Sequence, residues 1–173
     1  MENLGILVID MQEDFIGRNK PCEIEELIQY QKKLFKFANL KKIPIFILEW
    51  ENCGKTSEEL ISELPNNKTY FIPKYENNGF LKKYLVWEED SFNEEDQNKE
   101  LSNLLKKEQI KNLILTGISK DACVLATTLG AKRRGYNPFT SDELMNKRKK
   151  DVYEFHEYSN HYETLQELLE AIS

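Results

Sequence analysis

The chain opens on a short unbroken apolar run, Leu4–Ile9, and three more follow at Ile43–Leu48, Thr69–Ile72 and Leu113–Thr116. Runs of this length, continuous rather than alternating and rich in β-branched residues, Leu and Phe, are how strands buried on both faces read. Between them the period lengthens. Ile24, Leu27, Ile28, Gln31, Leu34, Phe35 and Ala38 follow helical i, i+3, i+4 spacing, with Gln31 the one polar exception. Leu101, Leu104 and Leu105 repeat the pattern briefly, and Leu165, Leu168, Leu169 and Ile172 close the chain as an amphipathic helix. Ala122–Ala131 is small or apolar nearly all round, which predicts a helix buried on more than one side. After Pro138-Phe139-Thr140 the pattern offers no sixth strand; Asp142 to Ser173 reads mainly as two helical stretches. Strands alternating with helices predict right-handed crossovers and a parallel sheet covered on both faces.

Such sheets collect their ligands at the carboxyl ends of the strands. Asp10 follows the first run, Glu49-Trp50-Glu51 the second, Pro73-Lys74 the third, and Gly117 to Cys123 the fourth. An aspartate, a lysine and a cysteine thus emerge at one rim from three strands. A thiol is only a few per cent ionised at neutral pH, so a nucleophilic cysteine needs a lowered pKa or a base. Cys123 falls near the start of a helix, where the macrodipole favours an anion, and Lys74 would add a full positive charge. Asp10 would accept the thiol proton. Taken singly, each has an ordinary explanation: a small core cysteine, a turn-capping aspartate, a solvated lysine.

At 173 residues the chain is expected to form one domain, 1–173, large enough for a core without staples. Its 24 basic and 30 acidic residues give a net charge of −6, which works against nucleic acid or an anionic membrane as partner. No run approaches the ~18 apolar residues of a membrane span. The acidic start MENLGILVIDMQEDF lacks the basic and long apolar regions of a signal peptide. Cys22, Cys53 and Cys123 form no CxxC pair. A cytoplasmic protein with reduced thiols, a small-molecule substrate and no cofactor is the expectation.

The segment ILVIDMQEDFIG resembles the D-x-Q-x-x-F opening of the isochorismatase-like cysteine hydrolases, the superfamily of nicotinamidases, N-carbamoylsarcosine amidases and ureidoacrylate amidases. Lys74 to Phe80, KYENNGF, is similar to its K-x-x-x-S-A-F, with Asn78 and Gly79 at the Ser and Ala positions. GISKDACVLATTLGAKRRGY resembles the G-x-x-T-x-x-C-V-x-x-T-x-x-x-A-x-x-x-G-Y block, with Lys120 at the Thr position. The resemblance implies an α/β fold with a Rossmann-like parallel sheet of five or six strands and helices on both faces, three layers in all. It implies Cys123 as nucleophile, Asp10 as general base and Lys74 as the completing cation. It also implies a cis peptide between Ile118 and Ser119, with the Ser119 and Cys123 N–H groups forming an oxyanion hole. The activity implied is hydrolysis of a C–N bond in a small amide through a Cys123 thioester. Members often associate, so an oligomer is expected.

The departures carry information too. Nicotinamidases hold a divalent metal with a D-x-H after strand two and a further histidine. Here Glu49-Trp50-Glu51 stands there, and the histidines, His156 and His161, lie in the C-terminal fifth, so no metal is expected. His161 is expected to be exposed in a polar helical tail. Phe15, Trp50 and Phe80 are candidates to line the substrate pocket. The charged stretch Lys82–Gln97 reads as a surface insertion, and Lys147–Lys150 as a basic surface segment. Two alternatives share the fold: a binding or regulatory module that has lost turnover, and an isochorismatase-type ether hydrolase that does not need Cys123.

Overall fold

The four apolar runs all become strands: β1 (Leu4–Ile9), β2 (Ile45–Trp50), β3 (Thr69–Lys74) and β4 (Asn112–Gly117). Two more complete the sheet, β5 (Asn137–Ser141) and β6 (Asn160–Tyr162), in the order β3-β2-β1-β4-β5-β6 with every pairing parallel. The computed structural model describes residues 1–65, 68–82, 97–146 and 154–173. Most of the Lys82–Gln97 stretch and all of Lys147–Lys150 therefore lie outside the described residues.

Seven helices accompany the strands among the described residues: α1 (Glu13–Ile16), α2 (Pro21–Lys41), α3 (Glu58–Ile61), α4 (Lys99–Lys107), α5 (Leu125–Arg133), α6 (Glu154–Tyr158) and α7 (Leu165–Ile172). Because successive strand residues point to opposite faces, β1 feeds two separate cores. Leu4, Ile6 and Val8 pack with Leu27, Phe35, Leu60 and Leu168 on the side of α2, α3 and α7. Leu7 and Ile9 pack with Leu101, Leu105, Leu125, Leu129 and Phe155 on the side of α4, α5 and α6. This is the expected three-layer arrangement. Gln31, the polar exception on α2, is fully buried and donates to Thr116 Oγ1 at 2.9 Å, tying the helix to β4.

Two local expectations need correction. A sixth strand exists: Asn160, His161 and Tyr162 pair with Phe139, Thr140 and Ser141. Its three residues carry no apolar run, because an edge strand this short is held by its neighbour and by side-chain hydrogen bonds. His161 is accordingly not exposed. Its side chain is 6% accessible, its Nδ1 lies 2.8 Å from Thr140 Oγ1, and its ring stacks on Phe155. Burial depresses its pKa, with the Asp142 carboxylate opposing.

The chain leaves β3 at one edge and re-enters the sheet at β4, on the far side of β1. The order of the strands reverses there, between β1 and β4, which is where a doubly wound sheet opens a crevice beyond its carboxyl ends. Asp10 follows one of those strands and Cys123 the other.

Candidate active site

Asp10 leaves β1 with φ 56°, a left-handed conformation that Asp tolerates better than most residues. The bend carries its carboxylate out of water, to 1% exposure. Oδ2 accepts from Lys74 Nζ at 2.8 Å and from Trp50 Nε1 at 3.2 Å. Oδ1 is buried without a hydrogen-bond partner among the described residues. Burial pushes the carboxyl above its ordinary pKa, against the pull of the Lys74 charge, of the nearby Cys123 thiol and of the Lys74 and Trp50 hydrogen bonds.

Lys74 is the last residue of β3 and is fully buried. Besides pairing with Asp10, its ammonium sits 4.2 Å from the centre of the Trp50 ring. A cation out of water is tolerated only with such partners.

The Cys123 segment is set by Gly117, whose φ of 140° lies in the range glycine favours. A Cβ there would overlap the carbonyl oxygen of Ile9. With no side chain, Gly117 lets the β4 end cross against β1. The Ile118–Ser119 peptide that follows is cis. The Ser119 carbonyl then accepts from Ala122 N and Val124 N, both at 3.1 Å. A π-helical turn, Lys120–Val124, carries Cys123 before α5 begins at Leu125. The sequence predicted an ordinary helix start at this point; a wider turn replaces it, a feature frequent at functional sites.

Cys123 is partly exposed, with Sγ 3.5 Å from Asn77 Oδ1. Its pKa is pushed up to about 11, first by burial and then by the Asp10 charge, with Lys74 pulling the other way. This corrects the expectation that Lys74 and a helix terminus would lower it. Lys74 does act to lower it, but burial and the Asp10 charge outweigh that pull.

Of the three aromatic candidates, only Trp50 joins this group. Phe15 is half-buried on α1, beneath the Arg18 guanidinium at 5.5 Å. Phe80 is wholly buried, stacked on Tyr136 with ring centres 5.7 Å apart and below Arg134. It is a core residue rather than a pocket wall, because the loop from Lys74 turns it under α5.

Several residues besides Asp10, Lys74 and Cys123 matter here: Gln12 and Thr127 fall in the first and third motifs, while nothing in the sequence singles out Asn98. Gln12 is fully buried; its Oε1 accepts from Trp50 N at 2.8 Å and its Nε2 donates to Trp50 O at 2.9 Å and Gly54 O at 2.7 Å. Asn98 caps α4 by accepting from Leu101 N, and donates to Pro73 O at 2.9 Å and Gly79 O at 3.1 Å. It thereby fastens the chain on both sides of Lys74 to α4. Thr127 Oγ1 accepts from Gly79 N and donates to Asn77 O, docking the same loop on α5. The departures at Asn78 and Gly79 find a structural counterpart. A Cβ on Gly130 would overlap the Asn78 amide, and one on Gly79 would come within 2.5 Å of Leu48 Cδ1. Asn78 fills space that α5 leaves open at Gly130.

Among the described residues no three His, Cys, Asp or Glu side chains cluster as metal ligands would. Glu49 Oε1 accepts from both Thr56 N (2.8 Å) and Thr56 Oγ1 (2.7 Å), so it is committed to its own loop. His156 and His161 pack edge to face against each other beside β6. Lys120, at the family's Thr position, pairs with Asp142 at 2.6 Å, while its N–H donates to Asn146 Oδ1.

Comparison with known proteins places the fold. The "Isochorismatase family protein 1A" of Dictyostelium discoideum is 26% identical over 135 residues, covering 76% of this chain and 57% of that protein, so the chain spans little more than half of the relative's length. The N-carbamoylsarcosine amidase of Thermoplasma acidophilum superposes with a TM-score of 0.72 at 16% identity, over 92% of this chain and 94% of that one. The MAR1 ribonuclease of Caenorhabditis elegans superposes with a TM-score of 0.64 at 25% identity, over 90% of this chain and 70% of that one. The model of the Isochorismatase domain matches residues 5–156. Because that match spans most of its length, the chain belongs to the isochorismatase domain family.

Proposed function

We propose that the protein is a metal-independent cysteine hydrolase that cleaves the C–N bond of a small amide through a Cys123 thioester. The observation that carries this reading is the unpartnered, buried Oδ1 of Asp10 in a carboxylate that interacts with the Cys123 thiol. With a pKa of about 11, the thiol is protonated at neutral pH and its free thiolate population is roughly one in ten thousand, about 5 kcal/mol uphill. Prior ionisation is therefore a poor route. Attack coupled to proton transfer avoids it, and a carboxylate whose pKa is raised by burial is a stronger base than a solvated one.

In this mechanism the Cys123 proton passes to Asp10 Oδ1 as the sulfur bonds to the amide carbon. The carbonyl electron pair moves onto oxygen, which accepts from the Ser119 and Cys123 N–H groups, an arrangement worth about 3–4 kcal/mol per donor in other acyl-transfer enzymes. Asp10 returns the proton to the leaving nitrogen, and ammonia or an amine departs. Water then attacks the thioester, giving one proton to Asp10; the carboxylic acid leaves and the proton returns to sulfur. Lys74 holds the carboxylate in place.

The reading draws on the amidase among the structural relatives. The relative named a ribonuclease suggests RNA instead, but an excess of six negative charges opposes a polyanionic substrate. A panel of small amides assayed for ammonia or amine release, alongside a labelled RNA, tests the choice. Expected is turnover of an amide that is lost in Cys123→Ala and Asp10→Asn. Turnover surviving in Cys123→Ala, or cleavage of RNA alone, would overturn the proposal.

A further inference from the structure

We infer that Trp50 is a positioning residue for the general base: its indole N–H and the Lys74 ammonium together occupy Asp10 Oδ2, leaving Oδ1 as the oxygen that receives the Cys123 proton. The inference rests on the hydrolase reading for what the base does, and on geometry alone for how the base is held.

A carboxylate has two equivalent oxygens and turns freely about its last torsion unless something distinguishes them. Here both donors reach the same atom, at 2.8 Å and 3.2 Å, and the other oxygen is buried with no partner. A buried acceptor left open in this way is costly, so the orientation has to be imposed. Trp50 and Lys74 face each other as a register pair at the ends of β2 and β3, which puts the indole over the ammonium at 4.2 Å. The Trp50 backbone that carries the indole is fixed in turn by the buried Gln12 amide, which accepts from its main-chain N–H and donates to its carbonyl. The connection runs Gln12 to Trp50 to Asp10. A pocket wall would need no N–H aimed at the base and no buried amide clamping its own backbone.

Trp50→Phe deletes the N–H and keeps an aromatic face; a protein with 3-benzothienylalanine at position 50 deletes it with the ring shape intact and guards against misfolding in the first. Two readouts need no known substrate. One is the titration of the Asp10 carboxyl by 13C NMR, assigned by its loss in Asp10→Asn. The other is the pH profile of iodoacetamide alkylation at Cys123, read by mass spectrometry. Losing a hydrogen bond to the ionised form raises a carboxyl's proton affinity, here by roughly 3–10-fold. The Asp10 midpoint is expected to move up by that factor in both variants, and the acid limb of alkylation with it. A midpoint moving less than about 0.2 pH unit in both variants would show Trp50 to be a wall and overturn the proposal. A midpoint that moves without the alkylation limb would remove Asp10 as the base for Cys123 and overturn it too. Both moving, in a protein whose amide turnover survives Cys123→Ala, would uphold the positioning role and refute only the hydrolase reading.

Discussion

Lys74 and Asp10 meet at 2.8 Å across the end of β2, from strands that are not neighbours, with side chains 0% and 2% accessible. A pair buried this far gains little over an apolar pair of the same shape, but removing one partner strands the other. Lys74→Met is therefore expected to cost about 3–5 kcal/mol in denaturant unfolding at pH 7. The cost should shrink as pH falls, since protonated Asp10 no longer needs a cation. Asp10→Asn with Lys74→Met should lose less than the sum of the two single changes, because neither charge is left alone.

The raised pKa of Cys123 makes a separate prediction on the alkaline side. Folding lifts it from about 9 to about 11, so between those pH values the unfolded chain releases a proton that the native state keeps. The unfolded state then binds fewer protons and stability falls with rising pH. Below pH 9 the contribution is fully present. Allowing for the partial exposure of the sulfur, about 2 kcal/mol should be lost by pH 11. Cys123→Ala should flatten this part of the stability profile, measured by denaturant unfolding at fixed ionic strength.

Asn98 joins three pieces of chain with one side chain, and its loss should be felt in all three. Asn98→Ala removes the α4 cap and leaves the carbonyls of Pro73 and Gly79 without their donor. A cap alone is worth about 1 kcal/mol and a buried unsatisfied carbonyl about 1–3, so a loss near 3 kcal/mol is expected. Asn98→Asp keeps the acceptor but not the donors, and should rescue only the cap. Because Pro73 precedes Lys74, alkylation of Cys123 is expected to change in both variants.

How much of this the sequence discloses depends on the kind of interaction. The four long strands and the two cores are legible from continuous apolar runs such as Leu4–Ile9, but the expected burial on both faces fails for β3, an edge strand with Phe71 exposed. Asp10, Lys74 and Cys123 can be found because each stands at or just beyond the carboxyl end of an apolar run. The sixth strand is not legible, since Asn160, His161 and Tyr162 are polar and pair only because β5 presents an edge. Neither is the role of Asn98, which acts through backbone groups remote in sequence that leave no pattern; Gln12 stands in the D-x-Q-x-x-F motif, but its hold on Trp50 is not readable from it. The rise in the Cys123 pKa is hidden for a related reason: how far the sulfur is buried and how close the Asp10 charge lies are set by the fold, not by order along the chain.

Asn78 and Gly130 offer a test of that kind of hidden coupling. They are 52 positions apart and each is unremarkable alone, yet the Asn78 amide fills the space a Gly130 side chain would need. Gly130→Ala should force the Asn78 side chain off its contact and disturb the loop that presents Asn77 to the Cys123 sulfur. Overpacking of this sort costs about 1–3 kcal/mol, somewhat offset by the better helix propensity of Ala. Asn78→Ser withdraws the amide and makes room. The double variant is expected to recover most of the stability lost by Gly130→Ala, an interaction energy of about 1 kcal/mol or more. Denaturant unfolding of the four proteins in the cycle measures it. Strict additivity would mean that the loop relaxes without touching α5, and that Gly130 is small for some reason other than Asn78.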